Sequence, residues 1–335
     1  MRIIPDPKDW AWTFGGYAPL ASITPGEVVE VFTEDCFGGL LRSAHDLPST
    51  SLNGPGLNPQ TGPFHVRGED VGDTLAVHLV DVQPARDWGV SATVALFGAL
   101  TSTVYTATLQ EPLPERTWIY RVVDGGRNVE YRAQDSDFTA RIPTHPFHGT
   151  IGVAPAEREA RSTLVPDYFG GNMDTREARA GTTVYLGVNV PGALVSLGDG
   201  HYAMGDGESC GVAVEGAMNT SFVVDVIKGE HVRWPRLEDD EFIMVAGSCR
   251  PLEDAFRIAH TELVRWTAEE TGLSLMDAYQ LVSQASRSSI ANVCDRNYTV
   301  IAKLAKSYLP RPEQVMHGIH ANLKATAAAR RPSPS

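Results

Sequence analysis

The residues best suited to chemistry lie in a glycine-dense segment at residues 192–216, GALVSLGDGHYAMGDGESCGVAVEG. Its first part, residues 192–208, holds three carboxylates and a histidine, namely Asp199, His201, Asp206 and Glu208. Hard oxygen ligands beside an imidazole are the donors that a divalent metal site uses. Asp199 with His201, and Asp206 with Glu208, are spaced i, i+2, which places both members on one face of an extended chain. The segment therefore predicts a metal or catalytic site.

The same segment also fits an ordinary hairpin, because Asp-Gly is a strong turn signal. A single hairpin needs one such dipeptide, whereas this segment contains two, together with a histidine and a glutamate that a turn does not require. The glycines between them allow positive φ angles or a close approach of the backbone to a ligand. This excess of functional groups favours a site over an inert turn.

The elements that must position these groups are predicted to be mainly β. Up to about residue 250 the sequence alternates apolar and polar residues between turns rich in Gly (31 in the chain) and Pro (22), for example over residues 183–190. Residues 74–82 and 222–227 are further candidate strands. Many short strands with dense turns predict a sandwich or barrel-like core rather than a parallel α/β sheet. Neither GxGxxG nor a P-loop occurs, so nucleotide chemistry has no support in the sequence.

Beyond residue 250 the apolar period becomes helical. Apolar residues recur at steps of three and four from Leu252 to Trp266, and Gly272 is a typical helix end. Ser274 and Asp277 form a capping box that opens a second helix, predicted to run to about residue 285.

The fold class is therefore mainly β (α+β), a sandwich or barrel-like core with a C-terminal helical hairpin. Residues 1–309 are expected to form one unit, β-rich to about residue 250 with the helical hairpin assigned to 251–309. Residues 310–335 lose the apolar pattern and end in ATAAARRPSPS, which predicts a disordered tail.

Composition excludes several classes of partner. The formal charge of −13, from 28 basic and 41 acidic side chains, argues against nucleic acid or an anionic membrane surface. No stretch approaches the roughly 18 apolar residues of a spanning helix, and the first ten residues lack the apolar core of a secretory signal. A cytoplasmic protein is expected. The four cysteines are far apart, which is neither a disulfide framework nor a zinc ribbon.

Five blocks in order along the chain resemble the acetamidase/formamidase family of amide hydrolases. The most specific is GGNMDTREARAGTTVYLGVNVPGALVSLGDGHYAMGDGESCGVAVEG, residues 170–216. The others are APLASITPGEVVEVFTEDCFGG (18–39), NPQTGPFHVRGEDVGDTLAVHLVDV (58–82), HPFHGTIGVAPA (145–156) and VSQASRSSIANVCDRNYTVIAKLAKSYL (282–309). The resemblance covers residues 10–309. It implies small aliphatic amides as substrates, a β-rich fold with peripheral helices, and assembly into homo-oligomers.

For amide cleavage, the favoured chemistry is water activated by a divalent cation. The metal-ligand candidates are His201, Asp199, Asp206 and Asp174, and the catalytic candidates are Glu208, Asp199 and Asp35. Glu208 is read as a ligand or as the general base. An imidazole ligand favours a zinc-like ion, whereas an all-carboxylate site would suit calcium or magnesium. Asp35 and Asp174 each lie beside glycine-rich turns, so a structural role stays open for both.

Two residues are candidates for binding the substrate. Asn172 carries an amide that both donates and accepts hydrogen bonds, although Asn beside Gly also favours a turn. His148 in THPFHGTIG approaches from another loop, with a supporting role as the alternative. Around residues 40–57 the chain has a longer polar loop than the family pattern. Because an insertion near a pocket resets specificity, this loop favours a substrate larger than acetamide.

Three alternatives remain open. Residues 207–211 formally match GxSxG, but strand-like sequence follows, whereas that motif works at a strand-to-helix turn. Cys210 is a possible thiol nucleophile, which would need a neighbour such as His201 to lower the pKa of its thiol. The Asp/Gly-rich segment also fits a non-catalytic β module stabilised by calcium.

Overall fold

The computed structural model describes residues 1–52, 56–101 and 112–330. Within these residues the chain contains four α-helices: α1 Pro48–Ser51, α2 Leu252–Thr271, α3 Leu275–Ala285 and α4 Ile319–Arg330. It also contains strands β1 Arg2–Ile3, β2 Thr13–Phe14, β3 Ala21–Ile23, β4 Val28–Thr33, β5 Gln60–Val66, β6 Thr74–Pro84, β7 Trp88–Thr93, β8 Arg116–Val123, β9 Asn128–Arg132, β10 Thr139–Pro143, β11 Phe147–Gly152, β12 Arg161–Ser162, β13 Gly170–Asn172, β14 Thr183–Gly187, β15 Val195–Ala203, β16 Val214–Glu215, β17 Met218–Ile227, β18 Arg236–Glu238, β19 Phe242–Cys249, β20 Arg287–Asn292 and β21 Tyr298–Ala305. The prediction of a mainly β fold is confirmed.

The strands form two large sheets and one small one. The first sheet has the order β1-β4-β17-β6-β14-β18-β19-β21-β20. The second has the order β10-β9-β8-β7-β16-β15-β11-β13, with β5 pairing with β15 and β3 adding beside β5. β2 and β12 make a separate pair. Pairing is antiparallel except for β1 with β4 and β3 with β5, as expected where short turns connect neighbouring strands.

The main core lies between the two large sheets. Phe64 of β5 and Phe222 of β17 pack with ring centroids 6.0 Å apart, and Phe14 and Phe169 extend the same core. Every residue of β14 is buried because its sheet is covered on both faces. Alternate residues of β14 therefore pack into two different cores. Val184 faces the second sheet, and Tyr185 faces the helices.

The helices α2 and α3 form the predicted hairpin against the outer face of the first sheet. Trp266 is fully buried there, and a side chain at Gly247 of β19 would collide with the α2 backbone. Gly272 ends α2 with a φ of 73°, and Ser274 caps α3 by accepting a 3.1 Å hydrogen bond from the Asp277 amide. The hairpin ends at Ala285, however, and the rest of the segment assigned to it supplies β20 and β21.

The prediction of a disordered tail from residue 310 is wrong over the described part of that segment. Residues 312–318 form irregular helical turns, and α4 then packs against β6 and β17. Val315, Leu323 and Ala327 are buried in the same core as α2. The prediction failed because the segment is mostly polar and small residues, and its three buried apolar side chains are too few to show as a pattern. These three side chains cover part of the outer face of the first sheet. Residues 331–335 lie outside the described residues.

We expect Leu323→Ala to lower the free energy of unfolding by about 2–5 kcal/mol, because the side chain is only 2% exposed and its removal leaves a cavity. Denaturant unfolding measures the change. Lys324→Ala is the matched control on the next residue, where an exposed ion pair with Asp240 is worth about 1 kcal/mol or less. Equal, small effects at both positions would contradict the packing of α4.

No helix among the described residues is long and apolar enough to span a bilayer.

Candidate functional site

Strand β15 is the centre of the candidate site. It lies between β11 and β16 with β5 alongside, all nine of its residues are buried, and it carries Asp199 and His201. The glycines beside them are required by close packing: a Cβ at Gly200 would lie 2.5 Å from the carbonyl oxygen of Gly216. The neighbouring strand β16 adds a further acid, because Glu215 is the register partner of His201.

His201 lies between two carboxylates. Its Nε2 atom is 3.4 Å from Asp199 Oδ1 and 3.2 Å from Glu215 Oε2, and the Phe147 ring packs edge-on against the imidazole at 4.8 Å. Neither ring nitrogen makes a hydrogen bond to the described protein. Burial lowers the pKa of His201, but the charges of Glu215 and Asp199 outweigh burial and raise that pKa well above its ordinary value.

Three further carboxylates lie around His201, Asp199 and Glu215. Glu208 comes from the turn between β15 and β16, Asp174 follows β13, and Asp295 lies between β20 and β21. Burial, reinforced by the neighbouring acids, raises the pKa of Asp174 and Asp295 well above the usual range and also raises that of Glu208. Burial with the charges of Asp199 and Glu208 raises the pKa of Glu215 to about 8, against the opposing effect of His201.

A chain of amides supports these acids. The Asn58 side chain donates to Thr150 Oγ1 and to Asn172 Oδ1, both at 2.9 Å. The Asn172 amide in turn donates to Asp295 Oδ2 at 2.8 Å and to Asp174 Oδ2 at 3.1 Å. Asn172 therefore lies in the site, as predicted, but both ends of its amide are bonded to protein. Its contribution in this structure is to orient the carboxylates.

Three of the acids, Asp199, Glu208 and Glu215, line a cavity of about 30 Å³. Its floor is polar, formed by Asn58, Asn172, Asp199, Glu208 and Glu215. Its walls are apolar, formed by Phe37, Leu57, Val94, Phe97, Leu164 and Val212. A small apolar enclosure with a few convergent polar groups is the usual form of a small-molecule site. The polar loop singled out around residues 40–57 supplies one wall residue, Leu57, while residues 53–55 of it lie outside the described residues.

The residues present fit a bound cation. Ligand atoms of Asp174, His201 and Glu208 lie within 4.8 Å of one another, and so do those of Cys36, Asp199 and Glu215. Asp174 Oδ1, Glu215 Oε2 and both nitrogens of His201 are buried without a hydrogen-bond partner. Since unpartnered buried polar atoms are costly, convergent ones point to a missing partner. Five buried carboxylates around one imidazole repel one another where they are ionised, and a divalent cation would offset that negative charge.

Of the predicted metal ligands, the structure brings Asp174, Asp199 and His201 together and leaves Asp206 outside. Asp206 is 57% exposed and pairs with Arg176 at the surface. The i, i+2 argument fails there because residues 204–211 form a turn, not a strand, so Asp206 and Glu208 point to different places. The prediction of Asp206 as a ligand is not supported by the geometry.

Asp35, a predicted catalytic residue, is fully buried but already saturated with partners. Its Oδ1 accepts hydrogen bonds from the amides of Phe37 and Gly39, both at 2.9 Å, and its Oδ2 pairs with Arg86. These contacts fix the turn that brings Cys36 and Phe37 to the cavity. The structure thus assigns Asp35 a positioning role beside the site.

We expect Arg86→Met to lower the free energy of unfolding by about 3 kcal/mol, because Asp35 would then be a buried charge without its cation. Denaturant unfolding is the measurement. Arg257→Met, which breaks the exposed pair with Asp254, is the control and should change stability by less than about 1 kcal/mol. Lost turnover at full stability would instead place the Arg86–Asp35 pair in the chemistry.

His148, predicted to bind substrate, has no free ring nitrogen in this structure. Nδ1 lies 2.8 Å from the Gly198 carbonyl oxygen, and Nε2 lies 2.7 Å from Thr220 Oγ1. Burial lowers the pKa of His148 to about 4, which keeps it neutral with Nδ1 donating to the carbonyl. His148 thus connects β11 to β15 and to β17 of the opposing sheet by hydrogen bonds. The geometry supports a structural role and not the predicted contact with substrate.

Sequence reasoning missed Glu215, Asp295, Asn58 and two of the cysteines. Register across β15 and β16 places Glu215 opposite His201, and only strand pairing reveals that. Asp295 and Cys294 come from more than 80 residues downstream of Glu208, and the Cys294 thiol donates to Glu208 Oε2 at 3.4 Å. The block at 282–309, which contains both residues, was the one available signal.

The nucleophile alternatives gain no support from the geometry. The Cys210 thiol donates to the Val212 carbonyl oxygen, and burial together with the charge of Glu208 raises its pKa, which disfavours the thiolate. Ser209 is exposed, and the element after it is the strand β16, not a helix. The GxSxG match is therefore not a nucleophile elbow.

Comparison with known proteins matches this chain to a recognised family. The family model described as "Acetamidase/Formamidase family" matches residues 16–158 and 139–299. The formamidase of Methylophilus methylotrophus is 26% identical over 259 residues, which is 62% of this chain and 61% of that protein. The chain therefore spans only 61% of the length of this curated relative.

Solved structures agree over more of the chain. An acetamidase from Yersinia enterocolitica is 40% identical, with a TM-score of 0.84 over 90% of each chain. An acetamidase from Bacillus halodurans is 30% identical, with a TM-score of 0.81 over 92% of this chain and 98% of that one. The fold described above is the fold of these acetamidases.

Proposed function

This chain belongs to the acetamidase/formamidase family, and we propose that it hydrolyses linear, non-peptide amides to a carboxylate and ammonia or an amine. The observation that carries the proposal is the clustering of Asp174, Asp199, His201, Glu208 and Glu215, with several of their polar atoms unpartnered, beside a small cavity that Asp199, Glu208 and Glu215 line. The relatives named formamidase and acetamidase agree with this chemistry.

His201, Asp174 and Asp199 would hold a divalent cation, which matches the three protein ligands of a typical catalytic site. The imidazole favours a zinc-like ion over calcium or magnesium. A cation held there supplies Lewis acidity, polarising the amide carbonyl and acidifying water.

We assign the proton transfer between water and the leaving nitrogen to Glu208. It lies at the edge of the cavity with 6% of its surface exposed, and burial raises the pKa of its carboxyl group. Its carboxylate accepts a proton from the attacking water and returns that proton to the leaving nitrogen, the role of a general base that then acts as acid. The apolar walls keep bulk water away from this transfer.

The amide chain fixes the acids during this reaction. Asn58 and Asn172 hold Asp174 and Asp295 in one orientation without carrying charge themselves. Preorganised groups of this kind avoid reorganisation when charge develops.

We also propose a cytoplasmic homo-oligomer that acts on small molecules, without nucleic-acid or membrane partners. The formal charge of −13 and the resemblance to the family support this proposal. Sedimentation of the purified protein tests the assembly, and a monomer at all concentrations would contradict it.

Ammonia and carboxylate release from formamide and acetamide test the proposed activity. We expect the two products in equal amounts, and matched protein carrying Glu208→Gln controls for a contaminating amidase. Turnover that is absent from the wild type would overturn the proposed activity, whereas turnover that is identical in both preparations would remove the general-base role of Glu208.

A further inference from the structure

Two spaces of very different size meet at Glu208. On one side is the small cavity of about 30 Å³ described above. On the other is an open groove of about 450 Å³ on the outside of the β15–β16 turn. Glu208 and Val212 border both spaces. The proposed proton carrier therefore stands between a small compartment and a large one.

Phe97 limits the size of the small cavity. Its ring packs on Gly211, where an added Cβ would lie 2.5 Å from Phe97 Cδ1. The loop that carries Phe97 is tied to the same turn, because the Ala99 amide donates to the Ser209 carbonyl oxygen at 2.9 Å. Since one water needs about 10–15 Å³ of such space, the cavity admits a group of only a few heavy atoms.

The open side is larger and mainly apolar. Tyr120, Ile142, Met204 and Val214 form its sides, and the Arg176–Asp206 pair lies at its rim. An aromatic ring or a short alkyl chain fits these walls, since burying apolar surface there is favourable.

We propose that the preferred substrates are short-chain acyl amides of larger amines, with the acyl group in the small cavity and the amine substituent in the groove. This inference rests on the proposed amide hydrolysis. The group that protonates the leaving nitrogen must contact it, so the nitrogen lies beside Glu208 at the boundary. The polar side chains of Asn58, Asn172 and Asp199 line the cavity and not the groove, so the polar carbonyl group lies on the cavity side. The acyl substituent then faces Phe97, and the nitrogen substituent faces the groove.

The reaction is a simple hydrolysis. Water adds its oxygen to the carbonyl carbon, the C–N bond breaks, and the nitrogen leaves with a proton as the free amine. The products are a short carboxylate, such as formate, and a larger amine, and no further reactant is needed.

Two isomers test the inference directly. N-benzylformamide places a hydrogen on the carbonyl and a benzyl group on nitrogen, whereas 2-phenylacetamide reverses this arrangement with the same atoms. We expect kcat/KM for N-benzylformamide to exceed that for 2-phenylacetamide by at least about 100-fold, a difference that steric exclusion readily produces. Equal rates, or a preference for 2-phenylacetamide, would overturn the proposal.

Two variants assign the effect to the two compartments. Gly205 lines the groove, and an added Cβ meets nothing within 4 Å. Gly205→Phe should therefore lower the ratio of kcat/KM for N-benzylformamide to that for formamide about tenfold. Phe97→Ala should admit propionamide and butyramide, raising their kcat/KM relative to formamide about tenfold. Phe97→Leu, which keeps an apolar wall, replaces it if the alanine variant does not fold. Unchanged ratios in the folded variants would contradict the assignment.

Turnover by the wild-type protein distinguishes failure of this inference from failure of the proposed amide hydrolysis. Cleavage of formamide without preference between the isomers would refute the two-compartment arrangement and leave amide hydrolysis standing. Failure with every amide would remove both.

Discussion

Glu208→Gln is expected to lower kcat on formamide by about 10²–10⁴-fold, the usual contribution of a general base. Glutamine keeps the size of the side chain but takes up no proton at neutral pH, so the loss should lie in kcat and not in KM. The substitution also removes one of five buried carboxylates. Burial, reinforced by the charge of Asp199, raises the pKa of Glu208 and Glu215, so a buried ionised acid is unfavourable here. The variant should therefore be at least as stable as the wild type before a cation binds. Steady-state kinetics and thermal unfolding measure the two effects.

Glu262→Gln is the matched control for this experiment. Glu262 is also buried, at 5% exposure, but it lies on α2 and pairs with Arg265 far from β15 in the topology. Its replacement should leave kcat within about twofold of the wild type. If Glu208→Gln retained full turnover, the proton would move through another group, and Glu215, with its pKa near 8, would be the next to replace.

His201→Asn is expected to lower the affinity for zinc by at least about 100-fold and to abolish turnover. Loss of a supporting residue at a metal site already costs 10–100-fold in affinity, and His201 is the one imidazole between Asp199 and Glu215. Calorimetric titration of zinc into the purified variant measures the affinity independently of activity.

His78→Asn controls for the loss of a buried histidine. His78 lies in the first sheet, where its Nδ1 is 3.0 Å from Thr183 Oγ1, and it has no part in the site. That variant should bind zinc as the wild type does. Unchanged zinc affinity in the His201 variant would contradict the ligand assignment.

The class of fold was readable from the sequence because strand alternation and helix caps are local signals. Asp199 and His201 were paired correctly since they lie on a real strand, β15, whose spacing rule applies. Asp206 failed the same rule because its segment folds as a turn. Asp35 and His148 lie beside the candidate site, but their side chains are already paired with Arg86 and Thr220, which are distant in sequence.

The remaining site residues depend on pairing that no local pattern encodes. Glu215 reaches His201 through antiparallel register, and Asp295 reaches Asn172 across more than 100 residues of chain. The helix α4 was missed for a related reason: its apolar positions are few, and burial against β6 and β17 stabilises it more than its own sequence does.

Metal content and ammonia release, measured on one preparation before and after complete chelation, test the central claim most directly. The account predicts at least about one bound divalent ion per chain. Ammonia release should stop when the ion is removed and recover when zinc is added back. Turnover that survives complete removal of the metal would contradict it and direct attention to Cys210. A tightly held ion with no turnover of any amide would contradict it in the other direction, as expected for a binding module stabilised by calcium.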